Sequence, residues 1–132
     1  MVLLDANFIL RYLLNDDKDM YEQAKENIEG GNAFVTIEIV AEIVYVLKGV
    51  YSVKREEIAE SMIGVLKLIG CPDADVLTEG LELYGKTNLD FPDCILCAYH
   101  TVRGYTIRSF DKKLNKLIAE TDTVSAEEEL KN

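Results

Sequence analysis

The feature that most constrains this chain is an apolar run that stops at an acid and turns at once into a helical pattern. Met1 to Leu4 is uninterrupted apolar sequence ended by Asp5, and from Asn7 to Leu14 apolar groups recur at helical spacing. A strand followed directly by a helix is predicted. The alternation then returns. Met20, Ala24 and Ile28 recur on one helical face among charged residues, Gly30-Gly31-Asn32 breaks the pattern, and Ala33 to Val35 reads as a second short strand.

Beyond it, Ile37 to Val50 is apolar at nearly every position, which predicts a helix buried almost all round. Ser52 is placed as the N-cap of a helix carrying Ile58, Met62, Val65, Leu66 and Ile69. Cys71 to Val76 is a candidate third strand, although Pro72 disfavours it, and Leu77 to Tyr84 reads as helical. Pro92 suits a helix start, Ile95, Tyr99 and Val102 form its stripe, and Gly104 ends it before a strand predicted at Tyr105 to Phe110. Asp111 opens a last helix, Lys112 to Glu120, and Glu127-Glu128-Glu129 reads as a solvated or frayed end.

Strands and helices alternating through short links predict an α/β fold: a three-layer α/β/α sandwich with a mostly parallel central sheet, because right-handed crossovers place helices on both faces. The 132 residues, 48% of them hydrophobic, suffice for one core, and no Pro/Gly/Ser-rich linker divides them. Residues 1–132 are therefore expected to form a single domain. The apolar patch from Val2 to Leu14 is interrupted by Asp5, Asn7 and Arg11 and lacks a basic leader, so a cytoplasmic protein without a membrane span is expected.

Several function classes lose support at this level. The formal charge of -10 argues against a protein that blankets phosphates with Lys and Arg; a nucleic-acid substrate would need metal ions or a basic partner to offset repulsion. Three cysteines are an odd count, against a secreted disulfide framework. Cys94-Ile-Leu-Cys97 followed by His100 is formally a metal pattern, but both thiols lie on an apolar helix and a zinc site takes about four ligands, so core packing is favoured. A single histidine excludes a two-imidazole mechanism within one chain. Neither a P-loop nor a dinucleotide-binding glycine motif is present. Tyr45, Tyr51, Tyr84, Tyr99 and Tyr105 read as core or dimer interface rather than base-stacking platforms.

Carboxylates are harder to set aside. Asp5 closes the first strand and Asp111 the last, so a parallel sheet would put both on its carboxyl edge, where ligands gather. Each is equally well placed as a helix cap. Glu42 sits in the apolar setting Ile39 to Leu47 with no polar stripe to face water; alternatively it and Glu38, one turn earlier, mark a narrow solvated edge. Asp90 and Asp93 flank Phe91-Pro92. Asp90 is the better N-cap, which spares Asp93 for chemistry. Converging carboxylates repel and shift their pKa values upward unless a cation is present, and a hard divalent ion, Mg2+ or Mn2+, meets that need. The expected chemistry is phosphodiester hydrolysis by a metal-activated water.

Four segments, LLDANFILRYLL, IVAEIVYVLKGVYSVKREEIAE, LDFPDCILCAYH and TIRSFDKKL, taken in this order and spacing, resemble the PIN-domain ribonucleases, especially the VapC-type toxins of prokaryotic toxin-antitoxin pairs. The resemblance spans nearly the whole chain. It implies Asp5, Glu42, Asp93 and Asp111 as the catalytic metal-binding acids. Asn7 and Ser109 would be polar supports that orient water or those acids, with Asp90 and Glu38 as further supporting carboxylates. It also implies Mg2+- or Mn2+-dependent cleavage of RNA, a homodimer, and a cognate antitoxin laid over the acidic site. Two rivals are carried forward. A Mg2+-dependent aspartate-nucleophile phosphatase would continue its first strand Asp-x-Asp, where this chain has Asn7. A catalytically inactive or receiver-like binding module would keep the acidic pocket only to hold a partner.

Overall fold

The computed structural model describes residues 1–131, which divide into two compact units, Met1–Ala74 and a second from Asp75 onward. The first contains β1 (Val2–Leu3), α1 (Ala6–Leu14), α2 (Lys18–Glu29), β2 (Ala33–Phe34), α3 (Ile37–Gly49) and α4 (Arg55–Leu66). β1 and β2 pair in parallel, Val2 opposite Ala33 and Leu3 opposite Phe34. The ladder continues for one bridge, where Gly70 N–H donates to Ala33 O and Val35 N–H to Gly70 O, each at 3.0 Å.

The third strand expected at Cys71 to Val76 is thus a single paired residue, Gly70, one position earlier. Pro72 has no N–H to give a ladder, Asp73 adopts a left-handed φ of 58°, and the chain is helical again from Ala74.

Asp5 stands in extended conformation at the start of α1, and its carboxylate accepts from Phe8 N–H at 2.8 Å; Asp17 does the same for α2 through Met20 N–H at 3.0 Å. Ile9, Ile28, Val35, Val40, Ile43, Ile58 and Met62 are fully buried and form the apolar centre of this unit. α3 corrects the expectation of burial all round: Glu38, Glu42, Tyr45 and Gly49, spaced for one helical face, are exposed, Tyr45 by 77%. The alternative raised for Glu38 and Glu42, a narrow solvated edge, is what α3 shows, and Tyr45 extends it. Ser52 is not the cap of α4; it lies in the preceding turn with φ 52°, and Lys54 takes the cap position.

The second unit is built from α5 (Ala74–Lys86), α6 (Phe91–Arg103) and α7 (Lys112–Lys131). α5 and α6 approach closely at Gly80, where an added Cβ would meet Ile95 Cδ1 at 2.5 Å. Tyr84 and Phe91 pack edge to face at 6.0 Å, and Leu77, Leu81, Cys94, Cys97 and Leu114 are fully buried. Arg103 forks onto Asp75 at 2.6 and 2.9 Å, tying α6 to the start of α5. Gly104, in left-handed conformation, ends α6 as the sequence predicts.

Two expectations fail here. Tyr105 to Phe110 forms no strand: it has no ladder partner among the described residues, and a strand, unlike a helix, is not a local property. α7 runs on to Lys131, well past Glu120, so Glu127 to Glu129 are solvated but helical. Among the described residues the architecture is α/β, with seven helices and a small parallel sheet in the first unit. No described helix is long and apolar enough to cross a membrane.

Candidate active site

In the second unit the starts of two helices bring acids into electrostatic reach of one another. Asp93 lies half-buried in the first turn of α6, and Asp111 immediately precedes α7. Burial raises the Asp93 carboxyl above the ordinary carboxylate range, and repulsion from Asp111 and then Asp90 raises it further. Asp90 occupies the N-cap position expected of it, but its side chain makes no capping hydrogen bond. Its carboxylate is therefore not consumed by the helix, contrary to the division of labour the sequence suggests.

Asp111 is held firmly. Its Oδ1 accepts from Leu114 N–H at 2.9 Å, and its own N–H donates to Ser109 Oγ at 2.9 Å. Asn115 Nδ2 closes the turn by donating to Ser109 O at 2.9 Å. Ser109 thus supports the backbone that presents Asp111. Asn115 escapes the sequence reading because a lone amide in the second turn of a helix carries no distinctive signal.

In the first unit Asp5 repeats this device. One oxygen caps α1, and Oδ2 accepts no hydrogen bond among the described residues; the same holds for Asp111. Capping and ligation, posed as rivals by the sequence, are compatible because a carboxylate has two oxygens. Asn7 is exposed in the first turn of α1, and Glu42 and Glu38 lie on the exposed stripe of α3. Glu38 is near enough to Cys71 to help raise that thiol to about 11, behind burial and Asp73.

No three carboxylate, thiol or imidazole groups among the described residues stand close enough to hold a metal ion together. The donor chemistry nevertheless fits a hard divalent cation. The candidates are oxygen ligands, two keep an oxygen outside the fold's own hydrogen bonds, and the group around Asp93 carries like charges that a cation would relieve.

The remaining chemistry-bearing residues are structural. Cys94 Sγ lies 3.8 Å from Thr87 Oγ1 and 3.7 Å from Leu89 O, and Cys97 Sγ lies 4.0 Å from Thr121 Oγ1, both thiols within the core. His100 bridges two oxygens, Tyr105 O at Nδ1 and Asp122 Oδ1 at Nε2, each at 2.7 Å, an arrangement that favours its protonated form.

A family model described as the PIN domain matches residues 2–119. The chain belongs to the PIN domain family. The match takes in both units of this PIN protein, and its α/β class agrees with the elements described above. Over 124 residues this PIN chain is 29% identical to a VapC ribonuclease of Aquifex aeolicus (strain VF5), covering 89% of this chain and 92% of the relative. No solved structure matches it.

Proposed function

We propose that this PIN protein is a metal-dependent endoribonuclease, the toxin of a toxin-antitoxin pair, folded as one domain over residues 1–132 in a three-layer α/β/α arrangement. The observation that carries the reading is the placement of Asp93, Asp111 and Asp90 within electrostatic reach at two helix starts, with Asp93 destabilised in its charged form. The similarity to the VapC ribonuclease supports the substrate class.

The proposed metal-binding acids are Asp93 and Asp111 of the second unit with Asp5 and Glu42 of the first; Asn7, Ser109, Asp90 and Glu38 support them. When bound, Mg2+ or Mn2+ would supply a water of lowered pKa and neutralise charge at the phosphate. The chain's own part is positional. The caps on Phe8 and Leu114 N–H fix Asp5 and Asp111 through one oxygen each, and the Ser109 and Asn115 hydrogen bonds keep the Asp111 turn from collapsing. The proposed partners are RNA, a second copy of this chain in a homodimer, and a cognate antitoxin in the cytoplasm. A chain of charge -10 is electrostatically suited to a basic antitoxin arm.

The test compares wild type with Asp93→Asn and Glu42→Gln by thermal melting in EDTA and in millimolar Mn2+, beside incubation with mixed RNA. A Mn2+-dependent upshift and RNA cleavage in wild type, both lost in the variants, are expected. Neither response in wild type would instead favour an inactive binding module, and phosphate release from a small phosphoester would favour a phosphatase.

A further inference from the structure

In the second unit an open groove of about 230 Å³ lies between the loop preceding α6 and the first turns of α7. Lys113, Lys116 and Glu120 line one side, on one face of α7, and Thr87, Asn88 and Leu89 line the other. The Thr87 hydroxyl is engaged with Leu83 O, but the Asn88 side chain is exposed and offers its amide. Lys113 has no ion-pair partner among the described residues. Lys116 meets Glu120 at 3.9 Å, both side chains mostly in solvent, a pairing too weak to hold the lysine against a phosphate.

The same two segments carry the acids. Leu89 is followed by Asp90 and Asp93, and Asp111 is followed by Lys112 and Lys113. The charge pattern has a purpose in this setting. Of fourteen Lys and Arg residues in an acidic chain, four (Arg108, Lys112, Lys113 and Lys116) fall between Arg108 and Lys116, opposed there only by Asp111. A polyanion brought to a carboxylate centre is repelled by everything around it except such a segment.

We propose that this groove is a phosphate subsite for single-stranded RNA. Lys113, Lys116 and the Asn88 amide would hold a backbone phosphate that neighbours the cleaved one. The inference rests on the ribonuclease reading for its substrate. The groove is open to solvent along its length, so an extended chain is not excluded by its walls.

The test is binding of a fluorescently labelled single-stranded RNA to the full chain, followed by anisotropy in EDTA across a salt titration, with melts to verify folding. The double variant Lys113→Gln/Lys116→Gln is expected to lose about tenfold in affinity. Its log–log salt dependence should become shallower by about 0.7 for each phosphate that is no longer neutralised. A charge-matched control, Lys25→Gln/Lys67→Gln, should stay within about twofold of wild type, because neither residue lines the groove and its lysines stay in place. With Mn2+ the groove variant should raise KM and keep kcat.

Equal losses in both double variants, no loss in the groove variant, or stronger competition by polyglutamate than by unlabelled RNA would overturn the subsite. Wild type that binds RNA through these lysines yet never cleaves it would retain the subsite and sink the nuclease. Wild type that cleaves with a KM indifferent to them would do the reverse.

Discussion

In the first unit the backbone does the organising: β1 and β2 share a parallel ladder, extended to Gly70. The described residues of the second unit contain no paired strand, and polar side chains make ties that the backbone does not: Arg103 to Asp75, His100 to Tyr105 and Asp122, Asn115 to Ser109. Ladder hydrogen bonds do not titrate, whereas carboxylates and imidazoles do. Both units carry carboxylate ties, Asp5, Asp17 and Asp16 in the first among them, but the imidazole tie belongs to the second.

The largest effects should come from the two cores. Ile43→Ala in the first unit and Leu81→Ala in the second each remove a fully buried side chain and should destabilise by about 2–5 kcal/mol. Denaturant unfolding followed by circular dichroism should show one transition moved by either change. Two transitions, each answering to only one substitution, would break the single-domain proposal.

A pair of glycines sharpens the contrast. Gly80→Ala drives a methyl toward Ile95 Cδ1 and should destabilise by about 1–3 kcal/mol. Gly64→Ala on α4 enters open space and should stabilise by about 0.5–1 kcal/mol through helix propensity. Urea midpoints moving in opposite directions would verify both; a stabilising Gly80→Ala would mean that the α5–α6 approach relaxes freely.

Smaller still is the His100 tie. The hydrogen bond to Asp122, and then that to Tyr105 O, raise the imidazole pKa, so the folded protein holds this proton more tightly than the unfolded chain. Its contribution is fully present below the ordinary value of 6.5 and is lost as pH rises through the raised folded value. The pair is partly in solvent, so Asp122→Asn should remove only about 1 kcal/mol and flatten the melting temperature over that rise. An unchanged pH profile would show that the tie adds nothing.

The smallest effect belongs to Asp75, exposed but drawn down to about 2 chiefly by its hydrogen bonds to Arg103. Its contribution is present above the ordinary carboxylate pKa and disappears as pH falls through the folded value. Asp75→Asn should slightly reduce the acid sensitivity of melting, and an unaltered acid limb would discard this contribution.

Helices were legible wherever an apolar stripe and a terminus agreed, as in α1 and α6, whose ends carry Asp5 and Gly104. Strands were legible only as short apolar runs, because pairing depends on residues far along the chain: Gly70 pairs and Tyr105 to Phe110 does not. For the site, motif order selected the acids, but the sequence could not divide the oxygens of Asp5 and Asp111 between cap and ligand. Nor could it show that Glu42 faces solvent, since that depends on which sides of α3 its neighbours cover.

That division of oxygens bears on how such chains diverge. Replacing Oδ2 of Asp5 or Asp111 with an amide nitrogen leaves Oδ1 on its helix and removes one negative charge. Aspartate and asparagine codons differ by a single base, so the proposed chemistry can be lost in one step while every helix is kept. Purifying selection on foldedness is blind to that step. A variant one base away would thus stay folded and lack only an acid.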